Sequence, residues 1–316
     1  MKAYHDLLQK ILDEGEEVTN ERTGVGTLSI FAEQIKFDLR EGFPAVTTKK
    51  LAFKSMIAEL LWFIRGSSNL YDLRALTHGE EHRFNDEKKT IWDDNYNVQG
   101  KELGYSNGYC GLVYGTQWRN FGPTGVNVEE DFGGTYYHDV PGVDQLAEMI
   151  KEAKANPGSR RLIVEAWNPQ LIWEHKTLPG YESHYEIQKP ILPPCHTGFQ
   201  INISGEFIDM IWHQRSVDTF LGLPFNIASY ATLLRIFAQI LGKTPRYLTG
   251  QLGDVHIYKN HIEQVKEQLT REEYDLPILT INPNLKTLED FEKAVVGDFT
   301  LIGYKHHEAI KAQMAA

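Results

Sequence analysis

Residues 197–252 are the part of the sequence that most constrains the fold. Alternating apolar residues predict strands over 197–204 and 207–214, and Ser204-Gly-Glu206 between them predicts a hairpin turn. The apolar run Ile227–Leu241 predicts a long buried helix, and a further strand is expected near 246–252. Strands and helices follow one another without regular alternation, which favours an α+β class built on a mixed sheet.

The rest of the chain adds compatible elements and shows no repeat, linker or domain boundary. The patterns predict helices at Tyr4–Leu12 (ended by Gly15), Phe53–Arg65, Val143–Ala155 and about 258–270, and strands at Thr27–Leu39 and Arg160–Trp167. Residues 66–142 are expected to form lid-like irregular loops, and residues 169–192 a surface excursion. We therefore expect one domain over residues 1–316, with a large mixed β-sheet flanked by helices.

Composition limits the classes of function. The net charge of −11 argues against a general nucleic-acid binder, so an anionic ligand would need a local cluster of arginines. Two cysteines, Cys110 and Cys195, give no disulfide framework and indicate a reducing compartment. The N-terminus does not resemble a signal peptide, and apolar runs such as Ile57–Ile64 are too short to span a membrane. A cytoplasmic location is expected.

Cys195 is the strongest candidate for a reactive group. Pro193 and Pro194 stiffen the chain before it, and a predicted strand follows, so its thiol has a fixed direction. The runs Gln214-Arg-Ser-Val-Asp218 and Leu223-Pro-Phe-Asn226 then supply a cation, a carboxylate and an amide. A lone cysteine is more often a small buried apolar residue, but this context favours a nucleophile.

The neighbouring His196 is not expected to be the base for Cys195, because adjacent residues on a strand point to opposite faces. A thiolate would need a cation instead, and Arg215 is the best candidate. No histidine group, including His306-His-Glu308, has metal-ligand spacing, so no metal site is expected. The run Thr23-Gly-Val-Gly-Thr27 lacks the lysine of a phosphate-binding loop.

Three further polar features have both a structural and a functional interpretation. His256 and Tyr258 share a strand face, which is either a ligand clamp or an exposed face. Arg160 and Arg161 are either a solvated strand end or part of an anion site. Glu59 lies in a helix that is apolar nearly all round, so its burial is costly unless it is paired. The residues alone indicate an enzyme or binder of a small anionic heterocycle.

Ordered motifs along nearly the whole chain resemble the folate-dependent thymidylate synthase family. They are Arg22-Thr-Gly-Val-Gly-Thr27, Thr47-Thr-Lys49, Glu59-Leu-Leu-Trp62, Ile91-Trp-Asp93, Gly111-Leu-Val-Tyr-Gly115, Arg160-Arg161, Ala166-Trp-Asn168, Leu192-Pro-Pro-Cys-His196, Gln214-Arg-Ser-Val-Asp218, Phe220-Leu-Gly-Leu-Pro-Phe-Asn-Ile-Ala-Ser-Tyr230, Gly253-Asp-Val-His-Ile-Tyr258 and the tail Ile310–Ala316. The resemblance implies a methyltransferase that converts dUMP to dTMP with 5,10-methylenetetrahydrofolate as a co-substrate, giving dihydrofolate. It implies the family fold, a homodimer packed through its sheets.

The resemblance also implies roles for individual residues. It assigns catalysis to Cys195, Glu59, Tyr114, Asn226, Asp218 and Arg215, with the Cys195 thiolate adding to C6 of the uracil. It assigns Arg160 and Arg161 to a site in the partner subunit, which they reach across the dimer interface. The residues that it assigns to binding of the nucleotide are Arg22, Arg160, Arg161, Arg215, Ser216, Val217, Asp218, Asn226, His256, Ile257 and Tyr258. The residues that it assigns to binding of the folate are Lys49, Ile91, Trp92, Asp218, Leu221, Gly222, Phe225, Met314 and Ala315.

Departures from the family pattern lie on the folate and lid side. They are Ala52, Asn95, Glu165 and Lys305-His306. They leave open how tightly the folate binds and how the site closes. Two alternatives are weighed: a deoxyuridylate hydroxymethylase, in which water replaces the hydride, and an RNA-binding regulator. The retained Trp92 and tail disfavour the first, and the acidic charge disfavours the second.

Overall fold

The computed structural model describes residues 1–19, 24–122, 126–131, 134–139, 142–173 and 188–313. The helices are α1 (Lys2–Glu14), α2 (Phe53–Ile64), α3 (Leu70–His78), α4 (Asp93–Asn95), α5 (Tyr114–Arg119), α6 (Gln145–Ala155), α7 (Pro169–Ile172), α8 (Gly222–Leu241), α9 (Ile262–Leu269) and α10 (Leu288–Lys293). The strands are β1 (Glu16–Val18), β2 (Thr27–Asp38), β3 (Val126–Asp131), β4 (Gly134–Asp139), β5 (Ile163–Glu165), β6 (His196–Ser204), β7 (Phe207–Asp218), β8 (Thr244–Tyr258), β9 (Ile278–Ile281) and β10 (Phe299–Ile302).

Six strands form one mixed sheet in the order β1-β2-β8-β7-β6-β5. Neighbouring strands are antiparallel except β7 and β8, which run parallel. A parallel pair needs a crossover connection, and α8 supplies it between β7 and β8. The predicted α+β class with a large mixed sheet is confirmed.

One face of the sheet packs against helices and carries the core. On β7 the side chains of Ile208, Met210, Trp212 and Gln214 are buried, and those between them are partly exposed. Helix α8 is apolar on most of its surface because it lies between this face and α2. Alternation with period two thus separates a core face from an open face.

Helix α8 begins at Gly222, five residues before the predicted start. Pro224 lies in its first turn, where a proline costs little because the first backbone N–H groups have no partner within the helix. Asp218 Oδ1 accepts hydrogen bonds from the backbone N–H groups of Phe220 and Leu221, which fixes the turn before the helix. The helix ends at Gly242, in the left-handed conformation with φ 62°.

The prediction of irregular loops over residues 66–142 was wrong in part. The structure places α3, α4, α5, β3 and β4 there. Polar turn-forming residues made this region look irregular in the sequence. Its short helices are stabilised by a few buried side chains, such as Leu70, Leu73 and Trp118. Of the predicted excursion 169–192, residues 169–172 form α7, and residues 174–187 lie outside the described part of the chain.

Two boundary predictions also needed correction. Strand β8 covers 244–258, more than twice the predicted length, because it pairs with β2 on one side and β7 on the other. Strand β5 covers only 163–165 of the predicted 160–167. Across the described ranges, no helix is both long and apolar enough to span a membrane.

Candidate active site

Cys195 lies immediately before β6, at the edge of the sheet where the parallel strands β7 and β8 end. Its backbone C=O accepts from the Arg215 N–H at 2.8 Å, and its N–H donates to the Tyr114 hydroxyl at 2.8 Å. The Arg215 guanidinium donates to the carbonyls of Pro194 and Pro193 at 2.8 and 3.1 Å. The partly exposed Cys195 therefore lies on a segment that is held by the Tyr114 hydroxyl, the Arg215 backbone and the Arg215 guanidinium.

The aromatic groups behind Cys195 are neutral. The Tyr114 ring stacks on His196 with centroids 4.0 Å apart, and burial raises the Tyr114 pKa well above its usual value. His196 Nδ1 lies 2.7 Å from the Tyr230 hydroxyl, and burial lowers the His196 pKa to about 3. His196 is thus a packed neutral imidazole bound to Tyr230, as expected for a side chain on the opposite strand face.

Glu59 is a buried acid on α2, 7% exposed. It accepts a hydrogen bond from the Trp92 indole, Nε1 to Oε1 at 2.6 Å. Burial raises the Glu59 pKa from 4.5 to about 7, and the bond from Trp92 opposes this shift only in part. Glu59 can therefore hold or release a proton near neutral pH, the property a general acid–base group needs.

Glu59→Gln should change the pH dependence of stability. The folded-state pKa of Glu59 lies above the unfolded value, so the folded protein keeps a proton that the unfolded chain loses between about pH 4.5 and 7. The free energy of unfolding of the wild type therefore falls across this window. One pKa unit corresponds to about 1.36 kcal/mol, so the total fall is roughly 3 kcal/mol. Glutamine retains the acceptor for Trp92 and cannot ionise, so the variant should gain stability relative to wild type at pH 8 and not at pH 4.

Urea unfolding at several pH values measures this effect. Glu102→Gln is the matched control, because this substitution removes the same charge at a residue that is exposed. A stability difference between Glu59→Gln and wild type that stays constant from pH 4 to 8 would contradict a raised pKa at Glu59.

The ends of β7 and β8 bring a second group of predicted residues together. Asp218 and His256 are directly paired in the parallel ladder. His256 Nδ1 lies 3.1 Å from Asp254 Oδ1, and the Ser29 hydroxyl donates to that same oxygen at 2.6 Å. The His256 and Tyr258 rings are 5.1 Å apart, edge to face, so they do share a strand face.

Asn226 lies in the first turns of α8 and its amide is oriented by the core. Gln214 Nε2 donates to Asn226 Oδ1 at 3.1 Å and to the Ser216 carbonyl at 3.1 Å. The Trp212 indole donates to Gln214 Oε1 at 3.2 Å. The Asn226 oxygen is thus held toward Gln214.

Some predicted nucleotide residues are not brought together within the chain. Arg160 and Arg161 are exposed, just before edge strand β5, and their side chains form no ion pair within the described residues. Val217 and Ile257 are fully buried, so only their backbones can face a ligand. Arg22, Met314 and Ala315 lie outside the described residues.

Lys49, one of the residues that the resemblance assigns to the folate, is buried in the structure. Its ammonium is buried, donates to the Phe220 carbonyl and lies over the Phe220 ring. Burial lowers the Lys49 pKa to about 7. Lys49 therefore supports the turn before α8, and its charge does not face solvent.

Ile91 and Phe225 line a cleft of about 170 Å³ together with Glu59. Trp92 lies behind this cleft, 4% exposed. Leu221 and Gly222, at the start of α8, are partly exposed near Asp218. A separate, larger groove is lined on its polar side by Lys50, Lys54, Lys305 and His306. No cluster of His, Cys, Asp or Glu suited to a metal ion occurs in the described ranges.

Gln214, Trp212 and Tyr230 were not predicted as part of the site. Gln214 did carry a signal, because a glutamine at a core position of an alternating strand needs a buried partner. Trp212 and Tyr230 look like ordinary core residues in the sequence. Trp212 donates to Gln214 on its own strand, whereas Tyr230 meets His196 of β6 only because α8 packs on the sheet.

Comparison with known proteins shows the family of the chain. A family model described as thymidylate synthase matches residues 2–316. The chain is 45% identical to a probable thymidylate synthase of Escherichia phage T5 and 43% identical to the thymidylate synthase of Enterobacteria phage T4, over the full length of each. The crystal structure of thymidylate synthase from T4 phage superposes with a TM-score of 0.82 at 43% identity, covering all of both chains.

The mixed sheet and these likenesses define a nucleotide-modifying methyltransferase. The chain belongs to the thymidylate synthase family. This family makes dTMP from dUMP and uses methylenetetrahydrofolate, so the predicted family and enzyme class are confirmed.

Proposed function

We propose that this protein reductively methylates dUMP to dTMP through a covalent bond between Cys195 and C6 of the uracil. The observation that carries the proposal is the position of Cys195. Its segment is fixed by Tyr114 and Arg215, at the end of the sheet where β7 carries Asp218 and where α8 begins with Asn226 in its first turns. A thiol positioned this way has little freedom to lose on attack.

The chemistry requires a nucleophile because C5 of uracil reacts poorly with carbon electrophiles. Addition of the Cys195 thiolate to C6 makes C5 nucleophilic, with negative charge developing on O4. Asn226 has an NH₂ group without a partner among the described residues, and this group would donate to O4. Its oxygen keeps one lone pair for the uracil N3–H.

Proton movement would be shared by two buried groups. Glu59, with a pKa near 7, would exchange a proton with the O4 region through water. Tyr114, whose hydroxyl accepts from the Cys195 N–H, would donate its own O–H to a water, and that water would take the C5 proton. The fixed positions of both groups fit these roles.

The residues present fit a folate. The cleft by Glu59 has apolar walls from Ile91 and Phe225, suited to a planar ring. The folate supplies the one-carbon unit and the hydride when it is bound. Asp218 would hydrogen-bond its ring system, and Trp92 would help to exclude water. Lys50, Lys54 and Lys305 are exposed and line the neighbouring groove, so they would meet the charged glutamate tail of the folate in place of the buried Lys49.

The phosphate site would be completed by a second subunit. Arg215 lies at the site, whereas Arg160 and Arg161 are exposed beside the open sheet face of their own chain. That face carries Ile163 and Ile211, which share one row across the sheet through Gln200. Packing two such faces together would bury this row and bring the arginine pair to the partner's Cys195 segment. The chain would therefore act as a homodimer.

Identifying the folate product tests the proposed reaction. Incubation with dUMP and methylenetetrahydrofolate should give dTMP and dihydrofolate in equal amounts, measured by absorbance and mass spectrometry. Tetrahydrofolate with hydroxymethyl-dUMP would instead identify the hydroxymethylase alternative. The buried Trp92, packed against Trp62, Phe63 and Tyr114, favours hydride over water because it keeps that side of the site dry.

A further inference from the structure

Gln214 connects the candidate base-reading residue to the core, and its amide cannot turn round. Its Oε1 accepts from the Trp212 indole N–H, which is a donor only. Its Nε2 donates to the Ser216 carbonyl, which is an acceptor only. Both neighbours demand the same orientation, so Nε2 must also face Asn226. The two neighbours therefore identify which end of the Gln214 amide is the oxygen and which is the nitrogen.

Trp212 is held in place by two neighbours of its own. Its ring stacks on Tyr230, with centroids 5.6 Å apart and planes 12° apart. Gly250 lies against the six-membered ring of the indole, and an added Cβ there would come within 2.5 Å of the indole carbons Cη2 and Cζ2. Trp212 is fully buried, so the ring has no other space to occupy. Gly250 is therefore required for the indole N–H to reach Gln214.

We propose that Trp212 and Gly250 are positioning residues that set the preference for uracil over cytosine, acting through Gln214 on Asn226. This inference rests on the proposed function, in which Asn226 reads the base. Cytosine presents a 4-amino donor and an N3 acceptor, so Asn226 would have to rotate its amide. Rotation would point the Asn226 NH₂ at Gln214 Nε2, and two donors would then face each other. Gln214 cannot rotate in response, because Trp212 and Ser216 both oppose it.

The experiment measures dissociation constants for dUMP and dCMP with the full-length protein, by calorimetry. Trp212→Phe removes the indole N–H and keeps an aromatic ring. We expect dCMP to bind more tightly relative to dUMP, by about tenfold, since one of the two groups that fix Gln214 is lost. Gly250→Ala should shift the ratio in the same direction by displacing the ring, which gives a second, independent variant. A merely structural weakening would reduce the affinity for both nucleotides equally.

Trp118→Phe is the matched control. Trp118 is also fully buried against aromatic rings, and its indole N–H has no hydrogen-bond partner among the described residues. It should leave the dUMP-to-dCMP ratio unchanged. Asn226→Asp, in the same assay, tests the underlying assumption. If Asn226→Asp changes the ratio and both Trp212→Phe and Gly250→Ala leave it unchanged, the inference is overturned and the proposed function stands. If Asn226→Asp also leaves the ratio unchanged, Asn226 does not read the base.

Discussion

Replacing Cys195 by serine is expected to lower turnover by more than about 10³-fold while dUMP still binds. A serine hydroxyl is far less ionised than a thiol at neutral pH, so it cannot add to C6 of the uracil at a useful rate. The substitution is nearly isosteric and leaves the backbone bonds to Tyr114 and Arg215 in place. Steady-state rates and equilibrium dUMP binding together separate lost chemistry from lost affinity.

Cys110→Ser is the natural control, since it makes the same change at the chain's other cysteine. Cys110 is fully buried, and burial raises its pKa to about 12, so it is a poor nucleophile. The turnover rate of the Cys110→Ser variant should stay close to that of the wild type. A Cys195→Ser protein that kept a substantial share of wild-type turnover would remove Cys195 from the mechanism. Loss of dUMP binding in that variant would instead indicate a role in affinity.

Mixing two inactive variants is expected to restore activity if the arginine pair acts across a dimer. In a heterodimer of Arg161→Ala and Cys195→Ser subunits, one site carries both defects and the other carries neither. Random exchange at equal concentrations makes half of the dimers mixed, so roughly a quarter of wild-type activity should return. Restored turnover would also demonstrate the dimer itself, which the exposed position of Arg160 and Arg161 suggests.

Arg215→Ala mixed with Cys195→Ser provides the negative control. Arg215 donates to the carbonyl groups of Pro193 and Pro194 in its own chain, so it belongs to the same subunit as the Cys195 beside it. Every site in that heterodimer would keep one defect, and activity should stay low. Subunit exchange can be verified by mass spectrometry with differently tagged chains. Equal recovery in both mixtures, or none in either, would count against an arginine pair donated by the partner subunit.

Several elements were predictable because their signals are local. The amphipathic spacing of Tyr4, Leu7, Leu8 and Ile11 predicts α1, and all four side chains are buried in the structure. The alternation in β6 and β7 predicts the hairpin, whose register runs from Ser204 opposite Phe207 toward Gln214. The raised pKa of Glu59 was predictable too, since a carboxyl on a helix that is apolar nearly all round must be buried.

Other features were missed because they depend on distant parts of the chain. The length of β8 depends on two partner strands, and the short helices in 66–142 depend on burial against residues far along the sequence. Lysine side chains are mostly exposed, but the Phe220 carbonyl, 171 residues away, accepts from the Lys49 ammonium. Packing decides whether a side chain is exposed, so residue type alone does not give the environment of Lys49.

The sequence by itself determined the family and the α+β class and indicated candidate reactive groups, because motifs and hydrophobic periodicity are properties of contiguous residues. Only the tertiary structure decided how those groups are oriented. Trp212 donates to Gln214 within β7, but Gln214 meets Asn226 only when α8 packs on β7, and this contact orients the Asn226 amide. Hydrogen bonds are directional and short, so their partners are fixed by the fold and not by spacing along the chain.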